Sequence, residues 1–156
     1  MAEQTNGGQK PFSGRRFAAR SIYLKDASFE SPSTPAIFSA NENPRVSVNL
    51  RTDEQNIDEA SFESVLIATV EAKVGEETAF LVEVQQAGIF EAEGYSEEEM
   101  HELQGSYCPS LLFPFAREAV CNLVVKGGFP QLQLQPVNFT ELYQKRKAAA
   151  AQANEA

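Results

Sequence analysis

The chain has 156 residues, with 13 Lys and Arg against 22 Asp and Glu, a formal net charge of -9, two cysteines and one histidine. A chain of this length hides roughly two thirds of its unfolded surface in one core, so a single domain is expected. The charge is uneven: residues 1–25 carry +4, residues 26–120 carry -15 and residues 121–156 carry +2. An acidic body repels phosphate backbones, which argues against nucleic acid as a partner. No uninterrupted apolar run approaches the roughly 18 residues that span a bilayer. The basic N-terminal segment has no apolar stretch behind it to read as a secretory signal. The expectation is a soluble, cytoplasmic protein with reduced thiols and no membrane insertion.

Residues 1–14 are rich in Gln, Asn, Gly and Ser and cannot offset ordering entropy by burial, so a flexible basic arm is expected over 1–19. Extended alternation begins from Arg20, with Ile22–Glu30 as a first strand that ends at Ser31-Pro32, a turn or crossover. Arg45–Arg51 alternates cleanly, Val46, Val48 and Leu50 on one side against Arg45, Ser47, Asn49 and Arg51 on the other. Phe62–Val74 and Thr78–Ala92, joined by Gly75-Glu76-Glu77, read as a hairpin. Apolar residues on both faces of that hairpin suggest helices on one side and a second subunit on the other.

The period then changes. Ser96 followed by Glu99 is a capping box. Pro109 opens a further helix, with Pro114 early in it as a bend and Lys126-Gly127-Gly128 as its exit. Residues 129–137, FPQLQLQPV, form an extended connector, and Asn138 with Glu141 caps a last helix carrying Phe139, Leu142 and Tyr143. Residues 146–156 are expected to form a disordered or frayed tail, leaving a domain over 20–145. Strands followed by helices, unalternated, mean an α+β fold.

There is no G-x-x-x-x-G-K-[ST], G-x-G-x-x-G or H-E-x-x-H, and Cys108, Cys121 and His101 lack zinc-ligand spacing. A nucleophilic pair of Cys108 with His101 would make a thiol hydrolase; a buried, inert cysteine is the commoner case. The carboxylates Glu76, Glu77 and Glu97–Glu99 sit where turns and helix starts welcome negative charge, and read as structural. Asp26 and Glu30, four apart on one strand, and Leu81 with Glu83 on another make an acidic face. Such a face suits a basic partner or merely keeps the protein in solution. An apolar groove is the other candidate, built from Val46, Val48, Leu50, the connector's Phe129, Leu132 and Leu134, and the last helix's Phe139, Leu142 and Tyr143. It would take extended peptide, and ordinary core packing is the competing reading.

Four runs carry more than periodicity: IYLKDASFESP (22–32), GEETAFLVEVQQAGIF (75–90), YCP through LFPFARE (107–118) and GFPQL through PVNF (128–139). Over roughly residues 20–143 they resemble, in order, the SecB family of bacterial protein-export chaperones. The resemblance implies a four-stranded antiparallel sheet with two main helices, assembled as a homotetramer, a dimer of dimers. It implies a holdase that needs no ATP and no cofactor and performs no catalysis. Such a holdase binds unfolded precursors in the cytoplasm, keeps them translocation-competent and delivers them to the SecA motor. By that resemblance Asp26, Glu30, Leu81 and Glu83 meet SecA's zinc-binding C-terminal tail, the zinc belonging to the partner. Clients meet apolar positions including Val46, Val48, Leu50, Phe139, Leu142 and Tyr143. Glu42 stands where members often carry Trp. The alternative within the resemblance is a general or toxin–antitoxin holdase not dedicated to export.

Overall fold

Long β-branched segments with period-two alternation give four strands in the computed structural model, which describes residues 14–154. They are β1 (Arg16–Glu30), β2 (Arg45–Asn56), β3 (Ser61–Val74) and β4 (Glu77–Glu93), one antiparallel sheet in the order β1-β4-β3-β2. β1 starts at Arg16, earlier than the alternation from Arg20 implies, because Phe17 anchors the basic run by stacking on Phe90 at 5.6 Å. The arm expected over 1–19 therefore contributes its last residues to the sheet; residues 1–13 lie outside the described part. Residues 31–44 carry the chain from one edge of the sheet to the other, pinned by buried Ile37.

On the inner face of the sheet Phe62, Leu66, Val70, Val82, Val84 and Phe90 are almost wholly buried. The outer face carries Glu63, Glu71, Glu83 and Glu91, each paired in register with the same face of a neighbouring strand. Its apolar residues Val65, Ile67 and Ala87 are already covered within the chain, with Tyr23 packed on them. These residues are buried within the chain, so the second subunit that the pattern suggested for this face is not needed to bury them.

Helices pack on the inner face. α1 (Glu97–Glu102) starts in the expected capping box, Glu99 N–H donating to Ser96 Oγ at 3.2 Å and Ser96 N–H to Glu99 Oε1 at 3.0 Å. It continues through a π-helical turn (Leu103–Tyr107) into α2 (Cys108–Lys126). The break expected at Pro109 does not occur: the π-helical turn widens the backbone just before it, Cys108 N–H reaching back to Leu103 O, and so makes room for a proline inside a continuous helix. This body of 30 residues is long and apolar enough, by length and composition, to cross a membrane. Its inward stripe Cys108, Leu112, Ala116, Val120 and Val124 is fully buried on the sheet, the placement of a core helix. α2 comes so close to β4 that a methyl group on Gly88 would sit 3.2 Å from Leu112 Cδ2 and 2.7 Å from the Phe90 ring. At its end Gly128 takes φ +87°, and the Gly128 and Phe129 amides donate back to Val125 O (3.0 Å) and Val124 O (3.2 Å).

α3 (Phe139–Asn154) is capped as expected, Glu141 N–H donating to Asn138 Oδ1 at 3.1 Å. It runs on to Asn154 through the segment expected to fray over 146–156, because consecutive alanines are the best helix formers; residues 155–156 lie outside the described part.

Cys108 is fully buried, and burial, with the negative field of Glu54 second, pushes its thiol up to about 12. That is the opposite of an activated nucleophile. In the folded protein at pH 8 a thiol reagent is expected to modify half-buried Cys121, with Cys108 reacting only after denaturation. Two equally reactive thiols in the native state would contradict the packing of α2.

Candidate functional site

Two surfaces lie on opposite faces of the sheet. On the outer face, register decides which residues meet. Glu30 of β1 stands opposite Leu81 of β4, which stands opposite Glu71 of β3. In the next row Ser28, Glu83 and Thr69 align, and in the one after that Asp26, Gln85 and Ile67. The four sequence-derived positions Asp26, Glu30, Leu81 and Glu83 thus form one patch, with Glu71 as a member the sequence reading missed. Glu71 could have been found from the hairpin, since pairing 74 with 77 brings 71 beside 81 once the irregularity at Ala79 is allowed for.

A bulge tunes this face. Register slips between Leu24 and Asp26, so Lys25 is the extra residue. Without it Tyr23 and Asp26 would point to opposite faces; with it both lie outward, in register with Ala87 and Gln85.

Charge divides the outer face in two. At one end Glu63 accepts from the Tyr23 hydroxyl and from Lys25 Nζ at 2.6 Å, and Glu91 pairs with Arg20 at 3.1 Å and Arg16 at 3.7 Å. The Lys25 and Tyr23 hydrogen bonds hold the Glu63 carboxyl below its usual range. Its contribution to stability is therefore present above the ordinary carboxylate pKa and lost as pH falls through the lowered one. Burial first, and the hydrogen bond to Glu63 second, push Tyr23 up to about 12. At the other end Asp26, Glu30 and Glu83 make no ion pair among the described residues. Glu83 accepts from Thr69 Oγ1 at 2.9 Å, and Glu71 has Lys73 at 3.6 Å. The acidic excess is thus concentrated around Leu81, in a form complementary to a basic segment with an apolar residue in it.

The inner face holds the groove. Val46, Val48 and Leu50 of β2 point inward, yet Val46 and Val48 remain 44% and 47% exposed because α2 packs chiefly on the central strands β3 and β4. With Phe113, Leu132, Leu134, Pro136, Val137 and Leu142 they line an open, mostly apolar groove of about 540 Å³. Gln133 and Gln135 complete the wall. β2 is also the free edge of the sheet, so its outward backbone groups are available beside the groove.

Six of the nine positions grouped from the sequence meet there, and three do not. Phe139 is buried in the core against Phe113, ring centroids 5.7 Å apart. Phe129 belongs to an aromatic cluster with Phe80 (5.0 Å), Phe38 (5.2 Å) and Phe29 (6.4 Å), away from the groove. Tyr143 packs against Gly105 on the other side of α3. The helical period separates these residues: Leu142 and Tyr143 are adjacent, so their side chains diverge by about 100° around the axis. Glu42, in the crossover, is exposed. Among the described residues no three His, Cys, Asp or Glu side chains cluster to hold a metal ion.

The family model described as Preprotein translocase subunit SecB matches residues 10–150. A protein-export protein SecB from Nitrosococcus oceani is 50% identical over 159 residues, spanning 97% of each chain. One from Methylococcus capsulatus is 49% identical, covering 88% of this chain and 89% of that one, and one from Hahella chejuensis is 44% identical, covering 100% and 99%. Among solved structures, a SecB-like chaperone from Mycobacterium tuberculosis in complex with an antitoxin peptide shares the fold. It aligns with a TM-score of 0.61 at 17% identity, over 78% of this chain and 91% of that one. The chain belongs to the SecB family of protein-export chaperones, a chaperone family and not a family of enzymes.

Proposed function

We propose that this protein holds non-native secretory precursors in the cytoplasm by laying their extended apolar segments into the β2 groove, and hands them to SecA through the acidic patch around Leu81. The observation that carries this reading is the open groove: nearly half-exposed valines on a strand whose neighbours are fully buried. An unfolded chain offers apolar side chains together with unpaired backbone, and an apolar trough beside a free strand edge matches both. Gln133 and Gln135 apart, the trough is lined by apolar side chains, which favour apolar character over one sequence, so many clients fit weakly. Several grooves joined in one assembly turn weak contacts into a firm hold by raising effective concentration.

A homotetramer, a dimer of dimers, fits the remaining surface. The outer side of α2 presents Phe115 at 48% and Val125 at 50% exposure, with Leu111 half-buried on the same stripe. The outer edge of β1 runs for 15 residues. Apolar residues and strand edges of this kind are what subunit contacts cover. SecA's zinc-binding tail is the partner proposed for Asp26, Glu30, Leu81 and Glu83, with Glu71 adding to the same field.

Mixed at stoichiometric amounts with a slowly folding precursor and no nucleotide, the protein is expected to delay folding; an unchanged folding rate would sink the proposal. Glu83→Lys or Asp26→Lys should weaken binding of a SecA tail peptide by about tenfold and leave client capture intact, since the two surfaces lie on opposite faces. Calorimetry with each partner separately reads this, and parallel loss of both would refute separate surfaces. Val46, Val48 and Leu50 changed together to Ser should lower affinity for an unfolded client by about tenfold or more, because the apolar lining is lost while the fully buried core residues stay in place. The assembly should keep its size in sedimentation; dissociation would mean that these residues hold subunits together.

A further inference from the structure

We infer that Tyr143 is a positioning residue: its ring, seated on Gly105 in the π-helical turn, sets the rotation of α3 and so the place of Leu142 on the groove wall. The inference rests on the groove reading and assigns Tyr143 a task other than touching the client. Beyond Phe139, whose ring enters the core beside Phe113, α3 is attached along one stripe. Thr140 Oγ1 and Ser106 Oγ share a hydrogen bond of 2.9 Å, Tyr143 lies on Gly105, and Lys147 Nζ reaches Glu98 Oε1 at 3.1 Å. Positions 140, 143 and 147 recur at three and four, and all three partners belong to α1 or the π-helical turn. Leu142 sits about 100° round the helix from Tyr143. It is the α3 residue that lines the groove, and it is 38% exposed.

A helix held by one stripe and bearing its working residue on the next converts any change in the seat into a rotation of that residue. Phe139 fixes the start of α3 in the core, and of the three attachments after it the hydrogen bond is between small hydroxyls and the ion pair is exposed, a class of contact that contributes little. The aromatic contact has no slack. A methyl group on Gly105 would lie 2.5 Å from Tyr143 Cδ2 and 2.8 Å from Cε2, so the ring must move if a side chain appears there. A π-helical turn with its widened backbone and a glycine facing the ring is a local arrangement that makes room for Tyr143.

A double-mutant cycle tests this, with reduced and carboxymethylated lactalbumin as a permanently unfolded probe and binding read by fluorescence anisotropy. Gly105→Ala is expected to weaken capture by about tenfold, and Tyr143→Ala by a similar factor. In the Tyr143→Ala background Gly105→Ala should cost nothing further, because the ring it strikes is gone. Tyr143→Phe should bind like the parent, since the seat is made by ring carbons. Hydrogen exchange should quicken over 139–147 in Gly105→Ala while α2 keeps its protection, which separates a loosened seat from a misfolded chain. Additive losses, a defect in Tyr143→Phe, or full capture by Gly105→Ala would each overturn the inference. If the parent protein itself fails to bind the probe, the groove reading falls, and the exchange comparison alone still decides whether Gly105 seats α3.

Discussion

One mismatch of widths shapes this molecule. Four strands at about 4.8 Å spacing make a sheet nearly 20 Å across, while a helix with its side chains covers about 10 Å. α2 lies over β3 and β4, where Leu112 meets Gly88 and Phe90, and leaves β2 largely uncovered, Phe113 being its residue on the groove wall. A second helix packed equally tightly would have closed the core. The chain instead sends an extended connector and the amphipathic start of α3 over the gap, and these touch β2 at too few points to seal it. The groove is therefore the uncovered remainder of a core, and its lining is apolar because the strand that floors it is patterned like its buried neighbours.

The outer face follows from a different constraint. Long polar side chains and Tyr23 cover its few apolar residues, so the face is stable while wet. Its charges then sort by pairing. Where bases from β1 reach Glu63 and Glu91 the field cancels; around Leu81 it accumulates. The bulge at Lys25 ties the two halves together, since it brings Lys25 to Glu63 and puts Tyr23 on the same side as Asp26 and Glu30.

Much of this was legible in the sequence, and the failures are instructive. Strand period, hairpin turn, capping box and the Asn138 cap are local signals, and each appears where its residues placed it. The grouping of Val46, Val48 and Leu50 also needs only period two. Bulges are not local in this sense: nothing in the residues 24–26 announces that one of them is extra, so the phase of β1 is knowable only from its partner. The helix phase failed for a related reason. Phe139, Leu142 and Tyr143 are all apolar-bodied and closely spaced, and only packing reveals that one enters the core, one the groove and one the seat on Gly105. Helix continuity across Pro109 was hidden because proline reads as a break unless the helix before it is known.

The alternation of β2, β3 and β4 has a consequence for how such a protein changes over generations. Adjacent residues in each strand serve different faces, so neighbouring codons answer to different selective pressures. Drift at Val48 alters the trough and leaves Asn49 and its outward row untouched; drift at Glu83 spares Val82 and Val84 in the core. On the proposed function, such a sheet lets its repertoire of held chains widen without renegotiating its other contacts, and interleaves both histories in one stretch of sequence.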